Sequence, residues 1–142
     1  MTKGISGLDL QQTPTSNSLD YRMADFSTLA EALDYAAQGE TGANFYSGRG
    51  ELYEVLTYAE LRKDELSLAR KLLAEGLQTG DRVAMVAETN ADFLRFFYAC
   101  QNARLVPVAL PAPVNLGGHI AYETQLRNLL ENSQSAIALS PP

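Results

Sequence analysis

The chain has 142 residues, 46% of them hydrophobic and 20% charged, with a formal net charge of −6. That length suits one ordinary domain with a core of its own, and an acidic balance without any basic run argues against nucleic acid or an anionic membrane surface as a partner, since both are themselves negative. A single cysteine, Cys100, excludes an internal disulfide and fits a reducing cytoplasm, while no signal-peptide core opens the chain and no apolar run is long enough to span a bilayer.

Residues 1–25 are rich in Ser, Thr, Gln, Asn and Gly. Such a segment does not repay its ordering entropy and reads as a flexible arm ahead of an ordered domain over 26–142. Ser27 is a good N-cap for a helix through about Gln38, with Leu29, Ala32, Leu33 and Ala36 on one face and Gly39 as the residue after its end. Ala43 to Ser47 and Leu52 to Thr57 are β-prone runs separated by Gly48-Arg49-Gly50-Glu51, so they predict a hairpin. Its Gly-rich tip could cradle an anion on backbone amides, but it follows no buried strand and opens no helix, so a plain turn is the stronger reading.

Thr57-Tyr58-Ala59-Glu60 is a capping box opening a helix to about Glu75, with Leu61, Leu68, Ala69, Leu72 and Leu73 apolar. Lys63, Asp64, Arg70 and Lys71 read as its solvated face, and Gly76 ends it. Gly80-Asp81 then turns the chain into Val83 to Ala87, a short apolar run without polar alternation, as expected of a parallel strand covered on both faces. Asn90 can cap the next helix, and Asp92 sits in its first turn, where the macrodipole favours negative charge. Phe93, Phe96, Phe97, Cys100 and Ala103 recur at helical spacing as one apolar stripe. Val106 to Leu110 is a second buried strand, and Pro111 to Gly118 a loop. A further helix to about Ser133 carries Tyr122, Leu126, Leu129 and Leu130 inward, and Ala136 to Leu139 is a third strand. The expected fold is α/β: a small, mainly parallel βαβαβ sheet with helices on both faces, preceded by a helix, a β-hairpin and a helix.

The chemistry is defined by absences. No phosphate-binding G-x-x-x-x-G-K-[ST], no G-x-G-x-x-G after a strand and no G-x-S-x-G elbow occurs. His119 is the only histidine, placed at a helix start, where a surface or capping role outweighs general base catalysis without a partner in reach. Cys100 lies on the buried stripe and reads as a small hydrophobe, with nothing basic nearby to activate it. Glu88-Thr89-Asn90 sits at the carboxyl end of a strand, where open α/β sheets bind ligands, although helix capping alone accounts for Asn90. The aromatics from Phe93 to Tyr98 could line an acyl pocket, but helical spacing already predicts their burial. No catalytic, cofactor-binding or metal residue is assigned.

Leu56-Thr57-Tyr58-Ala59-Glu60-Leu61, Gly80-Asp81-Arg82-Val83-Ala84, Asn90 to Phe93, Phe97 to Cys100 and Val106-Pro107-Val108 together resemble the start of the adenylate-forming superfamily. Phe26 to Ala37 ahead of Asn44-Phe45-Tyr46, the Val106 to Pro111 run with its long polar loop, and Gln125-Leu126-Arg127 to Ser133 are similar to its fatty acyl-AMP ligase branch. The resemblance covers about Asp25 to the C-terminus. It implies the N-terminal subdomain of a larger ligase that joins a fatty acid to ATP with magnesium, giving an acyl-adenylate and pyrophosphate, and passes the acyl group to an acyl carrier protein or coenzyme A. The family's phosphate loop, adenine motif, ribose aspartate and late lysine lie downstream, so none maps here, and the lysines are Lys3, Lys63 and Lys71. Arg104 departs from the pattern, standing where the family usually has a small residue. The implied fragment is catalytically silent by itself and prone to self-association. The rival reading is a free-standing α/β binding module, and the reading frame beyond Pro142 separates the two.

Overall fold

The structure, a computed structural model, describes residues 19–113 and 118–139. Residues 1–18 of the expected arm and part of the loop after Pro113 lie outside the described residues. The elements run α1 (Leu29–Ala36), β1 (Gly42–Tyr46), β2 (Leu52–Thr57), α2 (Tyr58–Ala74), β3 (Arg82–Ala87), α3 (Ala91–Asn102), β4 (Val106–Pro111), α4 (Gly118–Ser133) and β5 (Ile137–Leu139). β1 and β2 pair antiparallel as an isolated hairpin, while β4-β3-β5 form a parallel sheet with β3 in the middle. The expected α/β class and element order are therefore present.

Pleat alternation divides the sheet into two faces. Val83 and Met85 of β3, with Ile137 and Leu139 paired beside them, meet α2 and α3 through Ala69, Leu72, Ala99, Cys100 and Ala103. Ala84, Val86 and Leu110 point the other way, toward α4. A second core joins the hairpin to the helices: Phe45 and Leu56 pack with Leu33 of α1, Leu61 of α2 and Ala91 of α3. The layers run hairpin, then α1 with α2 and α3, then the parallel sheet, then α4.

This layering keeps the stripe expected on α3 together against the sheet core and adds a second packed face to the helix. The helix lies between two cores, so Leu94 and Tyr98 pack toward the hairpin core while Phe93, Phe96 and Phe97 flank the sheet core. Its fully buried positions are the small residues Ala91, Ala99 and Cys100, because close approach of α2 and the sheet leaves room only for short side chains. The phenylalanines are half-buried at the margin.

Four further expectations change. The N-cap of α1 is Thr28, whose Oγ1 accepts from the Glu31 amide at 3.1 Å, whereas the Ser27 amide donates to the Glu31 carboxylate at 2.9 Å, completing a capping arrangement one residue later than expected. α1 also closes early on Ala37 in right-handed geometry, and Gly39 lies outside the left-handed region. Leu73 is exposed and Glu65 takes the buried turn of α2 beside Leu61, Ala69 and Leu72. On α4, Tyr122, Leu126 and Leu130 face inward only to half-burial, Leu129 turns instead to the outward side beside Asn128, and none of the four is fully buried.

The local signals behave as expected elsewhere. Thr57 and Glu60 form the reciprocal capping box, and Gly76, with φ +91°, ends α2 in the left-handed conformation that favours glycine.

Candidate functional site

Right-handed crossovers place α3 and α4 on opposite faces of the sheet, because β3 leads to a neighbour on one side and β4 returns to β5 on the other. The chain therefore leaves adjacent strands β3 and β4 in opposite directions, and a crevice opens at their carboxyl ends. Glu88-Thr89-Asn90 forms one lip and Pro111-Ala112-Pro113 the other.

Backbone and side chains fix the first lip. The Glu88 amide donates to the Val86 carbonyl at 3.0 Å and the Asn90 amide to the Glu88 carbonyl at 2.9 Å. Asn90 caps α3, its Oδ1 accepting from the Phe93 amide at 2.9 Å, and its Nδ2 donates to Glu88 Oε2 at 3.2 Å. Capping is thus half of what Asn90 does; it also orients the carboxylate. From the hairpin, the Tyr53 hydroxyl donates to the Thr89 carbonyl at 3.0 Å. Tyr53 is the unpaired residue of a β-bulge, since Phe45 pairs with Glu54 and Tyr46 with Leu52, and the bulge aims its ring at this loop. Nothing local in the sequence announces a contact across 36 positions.

Between the lips and α4 lies a cavity of about 270 Å³, lined by Val86, Glu88, Leu110, Tyr122, Leu126 and Leu130 among others. The Tyr122 hydroxyl donates to the Pro111 carbonyl at 3.1 Å and ties the helix to the end of β4. The depression on the outward side of α4, lined by Ile120, Thr124, Asn128 and their helical neighbours, belongs to one helix alone and faces solvent.

At the hairpin tip the Gly50 amide donates to the Ser47 carbonyl, while those of Arg49 and Glu51 donate to Ser47 Oγ, so the amides that would cradle an anion are committed to the turn. Cys100 is wholly buried, and desolvation pushes its thiol up to about 11, the reverse of nucleophile activation. His119 is exposed at the start of α4. Phe93 and Phe96 border a void of about 10 Å³ with Met85 and Asn90, room for no more than one water.

Two polar clusters were missed by the sequence reading. Arg95 donates from Nε to Asp64 at 2.9 Å, from Nη1 to Asp92 at 2.9 Å and from Nη2 to Glu54 at 3.3 Å, binding α2, α3 and β2 together. Asp64 is therefore a partner and not simply part of a solvated face; only the i,i+3 spacing of Asp92 and Arg95 hinted at this. Glu65 accepts at Oε1 from Arg62 Nη1 at 2.5 Å and from Asn102 Nδ2 at 3.4 Å, with Oε2 buried and unpartnered. Arg62 also pairs with Asp34 of α1.

As chemistry, the crevice offers an apolar wall and one oriented carboxylate. Lys63 and Lys71 lie exposed on α2, and the described residues contain no group of His, Cys, Asp or Glu arranged to hold a metal.

Comparison with known proteins follows the chain closely. The family profile described as AMP-binding enzyme matches residues 33–140. A Caulobacter vibrioides (strain NA1000 / CB15N) protein named "Putative acyl-CoA synthetase" is 51% identical over 132 residues, covering 93% of this chain and 23% of its own length. A structure from a study of fatty acyl-adenylate ligases of E. coli and L. pneumophila superposes with a TM-score of 0.79 at 42% identity, over 84% of this chain and 21% of that one. The fatty acid AMP ligase of Legionella pneumophila shares the fold, with a TM-score of 0.70 at 23% identity over 82% of this chain and 20% of the other. The chain spans about a fifth to a quarter of the length of these relatives.

Proposed function

The chain belongs to the AMP-binding enzyme family, and from that membership we propose that it is the N-terminal portion of an ATP-dependent ligase that activates fatty acids. In this reading the whole enzyme joins a fatty acid to ATP with magnesium, releasing pyrophosphate, and hands the acyl group from the adenylate to an acyl carrier protein or coenzyme A. The observation that carries it is the 42% identity, with a TM-score of 0.79, to the structure from the study of fatty acyl-adenylate ligases across 84% of this chain. The 51% identical Caulobacter relative supports the same substrate class.

The contribution of residues 26–142 is architectural. They build a wall of the ligase as its N-terminal subdomain, and the groups that bind nucleotide and metal belong to other parts of the enzyme. The 142-residue chain alone is therefore catalytically silent. A reducing cytoplasm is the compartment that suits a buried, unpaired Cys100, and no described helix is long and apolar enough to cross a membrane. Self-association through exposed apolar surface completes the reading.

The test is ATP–pyrophosphate exchange with long-chain fatty acids, run on the 142-residue chain and on the product of the reading frame extended beyond Pro142. Exchange by the extended protein and none by the short chain is the expected pair of results. Exchange by the short chain would overturn its silence, and an extended protein that is active only with other acids would overturn the substrate class.

A further inference from the structure

The cleft at the carboxyl end of the sheet has the make-up of a binding site in its own right. Val86 and Leu110 are direct neighbours across the β3–β4 ladder and supply its floor. Leu126 and Leu130 of α4 supply the roof, and the Tyr122–Pro111 hydrogen bond holds that roof over the strand ends. The half-open space of about 270 Å³ corresponds to about nine waters at their liquid volume, which an apolar wall would hold poorly. It approaches the lower end of the range of small-molecule sites.

One charged side chain meets this space. Glu88 lines it and is half-buried, with Oε2 held by Asn90, which is itself fixed by capping α3. Among the described residues Glu88 enters no ion pair, and Arg95 of the adjoining helix is held by Asp64, Asp92 and Glu54. An oriented carboxylate without a cation, set on the rim of an apolar cleft, is complementary to a donor attached to an alkyl body.

We propose that this cleft binds a small amphiphile with a short alkyl chain and a hydrogen-bond-donating head, ammonium or hydroxyl. The head lies on Glu88 and the chain lies between Val86, Leu110 and Leu126. A carboxylate of the same length is rejected, because it would bring a second negative charge against Glu88 in a partly dry cleft. The site is thus separate from whatever binds the fatty acid carboxylate, and it stands or falls independently of the ligase reading.

Hexylammonium, hexanol and hexanoate titrated into the 142-residue chain, followed by amide and methyl NMR, test this directly. Shifts should concentrate on Val86, Leu110 and Leu126, with hexylammonium binding about tenfold or more tightly than hexanoate. Glu88→Gln should bring the two within about twofold, which separates a local effect from attraction to the overall negative charge. Leu126→Trp should fill the cleft and abolish binding of all three ligands. Spectral dispersion reports whether each variant is folded, and the wild-type comparison decides the question if one is not. Equal binding of hexanoate, shifts scattered away from the cleft, or a preference unchanged in folded Glu88→Gln would overturn the proposal.

Discussion

Two side chains sit where ordinary rules oppose them, and each yields a measurable consequence. Arg104, in the turn from α3 to β4, has φ +57°, while its carbonyl accepts from the Gly80 amide at 2.9 Å. An L residue there costs about 1–2 kcal/mol. Arg104→Gly should raise unfolding stability in urea by up to about 1 kcal/mol after the entropy of glycine is allowed for, and Arg104→Val should lower it by about 1 kcal/mol or more. Glu65 is only 1% exposed. Burial pushes its carboxyl above the ordinary 4.5, with Arg62 acting against the shift. A raised carboxyl pKa means that the native state holds the proton more tightly than the unfolded chain. Its stabilising contribution is therefore fully present below 4.5 and is lost as pH rises through the native value. Glu65→Gln keeps the Oε1 acceptor and removes the charge. The variant should match wild type near about pH 4 and exceed it by about 1 kcal/mol at about pH 7 in denaturant titrations; a constant difference across that range would contradict the assignment. Glu65 lies at the helical spacing of Leu61, Ala69 and Leu72, so its position on the stripe was legible in the sequence. Its contact with Asn102 was not, because Asn102 comes from α3, and neither was the pairing of Arg62 with Asp34 of α1.

At the scale of elements, legibility followed the range of the signal. The Thr57 capping box, the Asn90 cap and the left-handed Gly76 are decided within four residues, and the sequence displayed all three. The α1 cap slipped by one because Ser27 and Thr28 are both competent cap residues and only the packed geometry chooses between them. Asn90→Ala should cost about 1 kcal/mol, up to 2, from the lost cap, and methyl shifts around Val86 and Leu110 should move with it as Glu88 loses its orienting amide. The burial of α4 was over-read for a different reason. Its apolar residues recur at helical spacing, but the helix meets the sheet across the cleft and none of its side chains is fully buried. α3, packed between two cores, shares that spacing and differs in everything around it. Hydrogen exchange should separate the two helices, with amides of α4 exchanging about a hundredfold faster than those of α3 after correction for intrinsic rates. Equal protection would show that α4 is held more firmly than its packing indicates.

For the molecule as a whole, the alternation of strands and helices was enough to specify a parallel sheet with helices on both faces, since right-handed crossovers leave few alternatives. The sequence could not give the strand order β4-β3-β5 or the hairpin packing on α1, α2 and α3, which depend on contacts between distant segments. That arrangement bears on self-association. The edges of the parallel sheet are poor templates: β4 carries Pro107 and Pro111, which have no amide to donate, and β5 is three residues long. The hairpin is less protected. Tyr46 pairs with Leu52 and Asn44 with Val55 on its outward face, and Tyr46, Leu52 and Val55 are 56%, 51% and 53% exposed. An apolar outer face beside two unpaired strand edges favours a second copy of the chain. Sedimentation velocity and light scattering should show a mass that rises with concentration, and Leu52→Lys combined with Val55→Lys should return the chain to a monomer with its helical circular dichroism intact. If the sheet edges were the route instead, the double lysine variant would associate as before, and a wild-type chain that stays monodisperse and monomeric at high concentration would remove the hairpin face from consideration altogether.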